Sequence, residues 1–229
     1  MPSLWLVRLG KFGDQENRAL ETGELATGWI INDLTPARTR EQILPFLEKA
    51  NPQGKAGTLQ NWAVQLNQFR NEIADGDLVV TPLKTTGQIA IGQVLGGYVH
   101  TKDNRPGRIV KWLRTDVPRD AIKQDLLFSL GASQTICEIS RNDAFSRFQA
   151  VIKNGIDPGM SSSSERTDAP VAPIADTEAE TVAVDFALNA RDQIERRIAS
   201  QFTGHGFTQL ISEILRAQGY QTRVSPPWK

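Results

Sequence analysis

A polar segment divides the chain into two unequal parts. Residues 158–183, PGMSSSSERTDAPVAPIADTEAETVA, combine serine, proline, alanine and acidic residues with hardly any large apolar side chain. Such a segment cannot bury enough apolar surface to offset the entropy that it would lose on ordering. The sequence therefore predicts a first domain over residues 1–157, a flexible linker over residues 158–183 and a smaller unit over residues 184–229.

The first domain is predicted to alternate short strands with helices. Six segments are typical of strands: LWLVRLG, ELATGWIINDL, DLVVTPL, QIAIGQVLGGYV, RIVKWLRTDVPR and QTICEI. We expect the second of these to pair with the first, and the turn KTTG to join the third and fourth as a hairpin. Residues 38–50 and 58–73 have apolar side chains three and four positions apart, which predicts helices, and AIKQDLLFSLG predicts another. The expected class is α+β, with a small curved sheet or barrel.

The smaller unit is predicted to open with helix and strand. Residues 207–220 carry apolar side chains at three- and four-residue steps until Gly219 interrupts the pattern, and Tyr220–Val224 is typical of a strand. A helix followed by a strand is how many α/β domains begin, so we expect the opening elements of such a domain here.

Charge and cysteine content limit the possible function classes. Lys plus Arg and Asp plus Glu number 26 each, so the chain has no overall field that would mark a nucleic-acid or membrane binder. Residues 100–119 nevertheless hold six basic and two acidic residues and form the candidate basic surface. The single Cys137 excludes an internal disulfide and favours a reducing, cytoplasmic location. No apolar run reaches the roughly 18 residues of a membrane span.

The C-terminal sequence resembles a nuclease family. FTGHGFTQLISEILRAQGYQTRVSPP is similar to the start of the catalytic domain of Mrr-type restriction endonucleases, a branch of the PD-(D/E)xK fold. The similarity covers residues 185–227, and GHG, ILRAQGY and VSPP are its most specific parts. In that family an aspartate and an acidic-x-lysine pair follow, and they hold a magnesium ion that activates water for phosphodiester hydrolysis. The resemblance implies a magnesium-dependent DNA endonuclease as the complete parent protein.

The metal-binding residues of that family are not in this sequence, which ends with PPWK. We therefore expect no catalytic residue, no metal site and no cofactor within this chain, and no cleavage of DNA by it. Glu213 either borders such a site or is a solvated residue on the polar face of its helix. His205, between two glycines, is expected to have a structural role at the helix start.

The first domain resembles the PUA and EVE group of small barrels that precede such nuclease modules. The similarity rests on WLVRLG, GW, GDLVVTP, IGQVLGGY and KWL. Barrels of this group bind nucleic acid, and several turn a modified base into an aromatic pocket. The resemblance therefore implies a DNA partner. It also implies a base-stacking pocket formed by Trp5, Trp29, Tyr98 and Trp112, and contacts to the DNA backbone from Arg8, Lys84, Arg105, Arg108, Lys111 and Arg114.

Each of these residues also has an ordinary structural interpretation. A tryptophan in a strand is commonly a core residue, and Trp62 is assigned to the core because it shares a helix face with Leu59 and Leu66. A basic strand is commonly a solvated one. The alternative function is a small-molecule or protein-interaction module with no DNA role, because a fold does not determine a function.

Overall fold

The computed structural model describes residues 2–132, 134–160 and 201–225, together with residues 190, 194, 197 and 198. The chain divides into two compact units, residues 1–184 and 185–229. Of the predicted linker, residues 161–183 lie outside the described residues. Each unit is considered by itself below.

The first unit is built on one six-stranded mixed sheet. Its strands are β1 (Leu4–Val7), β2 (Glu24–Ala26), β3 (Leu78–Pro82), β4 (Ile89–His100), β5 (Pro106–Val117) and β6 (Ile136–Glu138). The order across the sheet is β2-β5-β4-β3-β1-β6, in which β1 and β3 are parallel and the other neighbours are antiparallel. The sheet is open, with β2 and β6 at its edges, and the predicted α+β class is confirmed.

The predicted pairing of the first two strand segments is wrong. β1 lies between β3 and β6, whereas β2 pairs with β5 through Glu24–Ile109 and Ala26–Gly107. β2 is also only three residues long, and the chain from residue 27 to residue 38 has no regular structure. After Ala26 the backbone N–H groups find separate acceptors: Thr27 donates to Pro106 of β5, Ile31 to Asn104 of the β4–β5 turn, and Leu34 to the Tyr98 hydroxyl, so no strand ladder continues.

Helices occupy both sides of the sheet and one end. They are α1 (Glu16–Thr22), α2 (Arg40–Ala50), α3 (Ala56–Asn67), α4 (Gln124–Leu130) and α5 (Ala144–Asn154). The periodicity of residues 38–50 and 58–73 predicts α2 and α3 correctly, but the second pattern ends in a π-helical turn over Gln68–Glu72. Helix α1 stands where the sequence indicates only a charged loop, because its single apolar anchor, Ala19, gives little periodicity.

Alternating side chains of the strands supply two apolar layers. On β1, Leu4 and Leu6 face a cluster completed by α4 and α5, here called the outer cluster, whereas Trp5 and Val7 face a second one, here called the inner cluster. The inner cluster also contains Leu25 of β2, although β2 and β1 stand far apart in the strand order. The sheet must therefore curve around the inner cluster. A third cluster, here called the helical cluster, joins α2 and α3 to the segment 31–37.

The C-terminal unit contributes one well-defined helix, α6 (His205–Ala217). This helix agrees with the predicted one, but the strand predicted over Tyr220–Val224 is not formed. A strand needs a neighbour for its backbone groups, and the described part of this unit offers none. Among the described residues, no helix is both long enough and apolar enough to cross a membrane.

Candidate functional site

Three half-buried aromatic residues pack against the helical cluster. Trp29 and Trp62 meet edge to face, with ring centroids 6.2 Å apart and planes inclined by 67°. Tyr98, near the end of β4, packs against the same cluster. Trp29 also packs against the inner cluster, so it lies where the inner cluster and the helical cluster meet. We call Trp29, Trp62 and Tyr98 the aromatic site.

Tyr98 is fixed by polar contacts on both sides. Its hydroxyl oxygen accepts a hydrogen bond from the backbone N–H of Leu34 at 3.1 Å and lies 3.3 Å from Nδ1 of His100. The guanidinium carbon of Arg70 lies 5.0 Å from the ring centroid, a cation–π contact. Burial, together with the nearby carboxylate of Asp33, raises the pKa of Tyr98 to about 12, and the neutral hydroxyl is hydrogen-bonded to that carboxylate.

Arg70 belongs to the π-helical turn that follows α3. Its Nε donates to the carbonyl oxygen of Leu34 at 3.2 Å, and its Nη2 donates to that of Thr35 at 2.8 Å. Burial and the nearby charge of Arg38 lower the pKa of Arg70. π-Helical turns are rare and occur frequently at functional sites. Here the turn positions the guanidinium of Arg70 over the ring of Tyr98.

The turn between β4 and β5 holds the segment that carries Trp29. Nη1 of Arg105 donates to the carbonyl oxygens of Gly28 at 2.9 Å and Thr27 at 3.3 Å. The N–H of Ile31 donates to the carbonyl oxygen of Asn104 at 2.9 Å. Asn104 has a φ of 58°, a left-handed conformation that asparagine tolerates better than most residues. Trp29 is therefore positioned by a turn more than 70 residues further along the chain.

The four predicted stacking residues separate into two pairs. Trp29 and Tyr98 belong to the aromatic site. Trp5 is 4% exposed and donates its indole N–H to Asp77 at 2.9 Å, and Trp112 donates its own to the carbonyl oxygen of Ala19 at 2.7 Å. Trp5 is a buried member of the inner cluster, and Trp112 is partly buried against it, so the two differ from Trp29 chiefly in that their indole N–H groups are occupied.

Among the residues predicted to contact phosphate, Arg108 differs most from the prediction. The side chain is 2% exposed and donates to the carbonyl oxygens of Phe69 at 2.6 Å, Gly96 at 3.1 Å and Arg70 at 3.3 Å. Burial and the nearby charge of Arg70 lower the pKa of Arg108 to about 10, which leaves it a cation at neutral pH. This cation supports the π-helical turn from inside, and a DNA phosphate cannot reach it without breaking these bonds.

Three further predicted cations also have protein partners. Arg8 donates to the carbonyl oxygens of Leu130 and Ala132 at 3.0 and 2.7 Å. Arg114 pairs with Asp116 at 3.3 Å, and the guanidinium of Arg105 is occupied as described above. Of the remaining two predicted cations, Lys84 is exposed and donates from Nζ to the carbonyl oxygen of Lys11 at 2.5 Å, and Lys111 is exposed on β5.

Trp62 of the aromatic site and Arg70, which contacts Tyr98, are not among the site residues predicted from the sequence. The helical periodicity places Trp62 in the core, and the structure shows that it is only half-buried. Arg70 follows Trp62 by eight residues on the same apolar stripe, where a cation is unusual. That break in the pattern was the available signal.

The C-terminal residues singled out in the sequence occupy ordinary positions. Glu213 is exposed and pairs with Arg216 at 2.8 Å along α6, which matches the solvated alternative. His205 is the first residue of that helix. Among the described residues, no group of three or more His, Cys, Asp or Glu is arranged to hold a metal ion. Cys137 is partly buried against the outer cluster, and burial raises its pKa to about 11.

Comparison with known proteins identifies the domain and not its activity. A family model described as a domain of unknown function, DUF8426, matches residues 5–140. The chain belongs to this family. The DUF8426 match contains the aromatic site and almost the whole sheet, and it ends before α5. No curated protein and no solved structure matches the chain significantly. The resemblance to Mrr-type nucleases and to PUA-like barrels therefore stays a prediction.

Proposed function

We propose that the DUF8426 domain of this chain binds DNA and stacks one base, modified or not, against Trp29. The observation that carries the proposal is the Trp29–Trp62 pair. Both rings are half-buried, and neither indole N–H is bonded within the described part of the chain, in contrast to Trp5 and Trp112. A flat apolar face with an unused donor is what recognition of a nucleobase requires.

The polar groups beside the pair supply the rest of such a site. Tyr98 has a neutral hydroxyl that contacts Leu34, His100 and Asp33, and Arg70 places a cation against the Tyr98 ring. Hydrogen bonds to the edge of a base give selectivity, whereas cations contribute sequence-independent attraction to phosphates. In the complete Mrr-like parent that the sequence predicts, this domain would bring a magnesium-dependent nuclease to the DNA through the linker.

The geometry also favours a second candidate, a neutral aromatic small molecule. Arg105 and Arg108 are bound to backbone carbonyls, so the domain has fewer cations for phosphates than its sequence indicates. A planar uncharged ligand would use the same tryptophan face and would need none of them.

Salt dependence separates the two functions. The affinity of the protein for fluorescently labelled duplexes, unmodified or carrying methylated adenine or cytosine, is measured at several salt concentrations. DNA binding predicts a linear fall of log affinity with log salt, and Trp29→Ala loses about 1 to 3 kcal/mol on the preferred duplex. The matched control is Phe128→Ala, which removes an exposed ring of α4 and is expected to leave affinity unchanged. Failure of the wild-type protein to bind any duplex at low salt would refute the proposal.

A further inference from the structure

The loop between β1 and α1 holds a phenylalanine in solvent. Phe12 is 77% exposed, the largest exposed fraction among the large apolar side chains of the described residues. Leaving such a ring in water forgoes about 2 kcal/mol of burial free energy. An apolar ring exposed to this extent is accessible to a partner, and burying it on binding would be favourable.

Two glycines and a buried carboxylate fix the shape of this loop. Gly10 and Gly13 have φ angles of 86° and 78°, and a Cβ on Gly13 would lie 2.6 Å from Oε1 of Glu16. The buried Glu16 accepts hydrogen bonds from the backbone N–H groups of Lys84 at 2.7 Å and Thr85 at 3.0 Å. The loop is thereby tied to the β3–β4 turn, and Phe12 is presented in a defined position.

Two lysines lie at the Phe12 loop. Nζ of Lys11 lies 5.3 Å from the centroid of the Phe12 ring, and Nζ of Lys84 donates to the carbonyl oxygen of Lys11 at 2.5 Å. Of the two acids nearby, Glu16 is buried and bonded, and Asp14 accepts a hydrogen bond from Gln15 at 3.0 Å. An apolar ring beside one ammonium group, with a second ammonium group bonded to the neighbouring backbone, complements a polyanion with an apolar interior, and a stacked duplex has that character.

The Phe12 loop adjoins the segment that carries Trp29. A Cβ on Gly28 would lie 3.3 Å from Cα of Gly10, so the two backbones are in close contact directly before Trp29. Ile30, directly after Trp29, is 63% exposed. The exposed ring and the proposed stacking face therefore belong to neighbouring loops.

We infer that Phe12 is a wedge that enters the DNA base stack beside the base received by Trp29, while Lys11 and Lys84 contact the flanking phosphates. The inference rests on the proposed DNA binding. Separating two stacked base pairs costs a few kcal/mol, and an inserted apolar side chain repays part of that cost by replacing the lost stacking. The wedge is needed only where the target base is still paired and stacked.

The test measures the affinity of the chain and of its Phe12→Ala variant for two DNA duplexes. One duplex is fully paired, and the other has a mismatch at the target base, which is already partly unstacked. We expect Phe12→Ala to weaken binding of the paired duplex about tenfold and to leave the mismatched duplex within about twofold, because only the paired duplex requires unstacking. Trp29→Ala is expected to weaken both. Phe128→Ala, 44% exposed elsewhere on the domain, is the matched control.

A base analogue next to the target reports the wedge directly. The fluorescence of 2-aminopurine rises when its neighbour is unstacked, and we expect this rise with the wild-type protein and not with Phe12→Ala at saturating protein. Equal binding of both duplexes by wild type and variant, or equal loss on both, would overturn the wedge while leaving DNA binding intact. Absence of wild-type binding to either duplex would instead overturn the proposed function.

Discussion

The guanidinium of Arg105 holds the carbonyl oxygen of Gly28 at 2.9 Å, directly before Trp29. Arg105 also bonds Thr27 and pairs with Asp103 at 3.1 Å. A residue that the sequence assigns to the DNA backbone is therefore used to position the aromatic site. This changes what its removal should do.

Arg105→Ala is expected to weaken DNA binding without changing its salt dependence. The variant loses the hydrogen bonds that position the segment carrying Trp29. It removes no phosphate contact, so the slope of log affinity against log salt stays the same. The matched comparison is Lys11→Ala with Lys84→Ala, which should flatten the slope by up to about two units. Affinity measured across salt for both variants is the test, and a flatter slope for Arg105→Ala would show that Arg105 contacts phosphate after all.

Arg108→Ala is expected to destabilise the fold by about 3 kcal/mol or more. The substitution leaves the carbonyl oxygens of Phe69, Gly96 and Arg70 without their donor in the interior, and each unsatisfied buried group is costly. Urea unfolding provides the measurement. Arg114→Ala on the same strand is the control, because its ion pair with Asp116 is partly exposed and should contribute less than about 1 kcal/mol. Equal midpoints for the two variants would contradict this role of Arg108.

Tyr98 is expected to titrate at a pH of about 12, late for a tyrosine, because burial raises its pKa. The unfolded chain would release this proton near pH 10, so the folded state binds it more tightly. The stabilisation is therefore fully present below about pH 10 and is lost as the pH rises towards 12. Phenolate absorbance during an alkaline titration measures this step. Tyr98→Phe should remove it and Tyr220→Phe should retain it, and persistence in Tyr98→Phe would assign the late step elsewhere.

The first domain is expected to fold when the chain is cut after residue 160. Asp157 is fully buried and accepts hydrogen bonds from Arg147 at 2.7 and 2.8 Å, and Arg147 also pairs with Asp125. A fragment of residues 1–160 keeps this network and should melt within a few degrees of the first transition of the full chain. Asp157→Ala leaves the buried Arg147 without one of its two carboxylate partners and should lower the free energy of unfolding by about 3 to 5 kcal/mol. A molten 1–160 fragment would show that the domain needs more of the chain.

Local patterns determined much of the first domain. The apolar run of Leu4, Trp5, Leu6 and Val7 predicts strand β1, and the structure places those residues in two different clusters. The spacing of apolar residues predicts α2 and α3, and the turn KTTG predicts the β3–β4 hairpin. These features follow from periodicity and turn chemistry. Both involve only a few consecutive residues, so they can be predicted from the sequence.

Only the tertiary structure decided which strands pair and what the cations do. β1 lies between β3 and β6 in the sheet. Arg108 turns inward to the π-helical turn, whereas Arg114, at the same parity on β5, pairs with the exposed Asp116, and the alternation of the strand does not distinguish the two. Trp29 and Trp62 meet because α3 and the segment after β2 pack on one cluster. Such contacts join residues tens of positions apart, and their free energy depends on the burial that the whole fold achieves, so no local pattern encodes them.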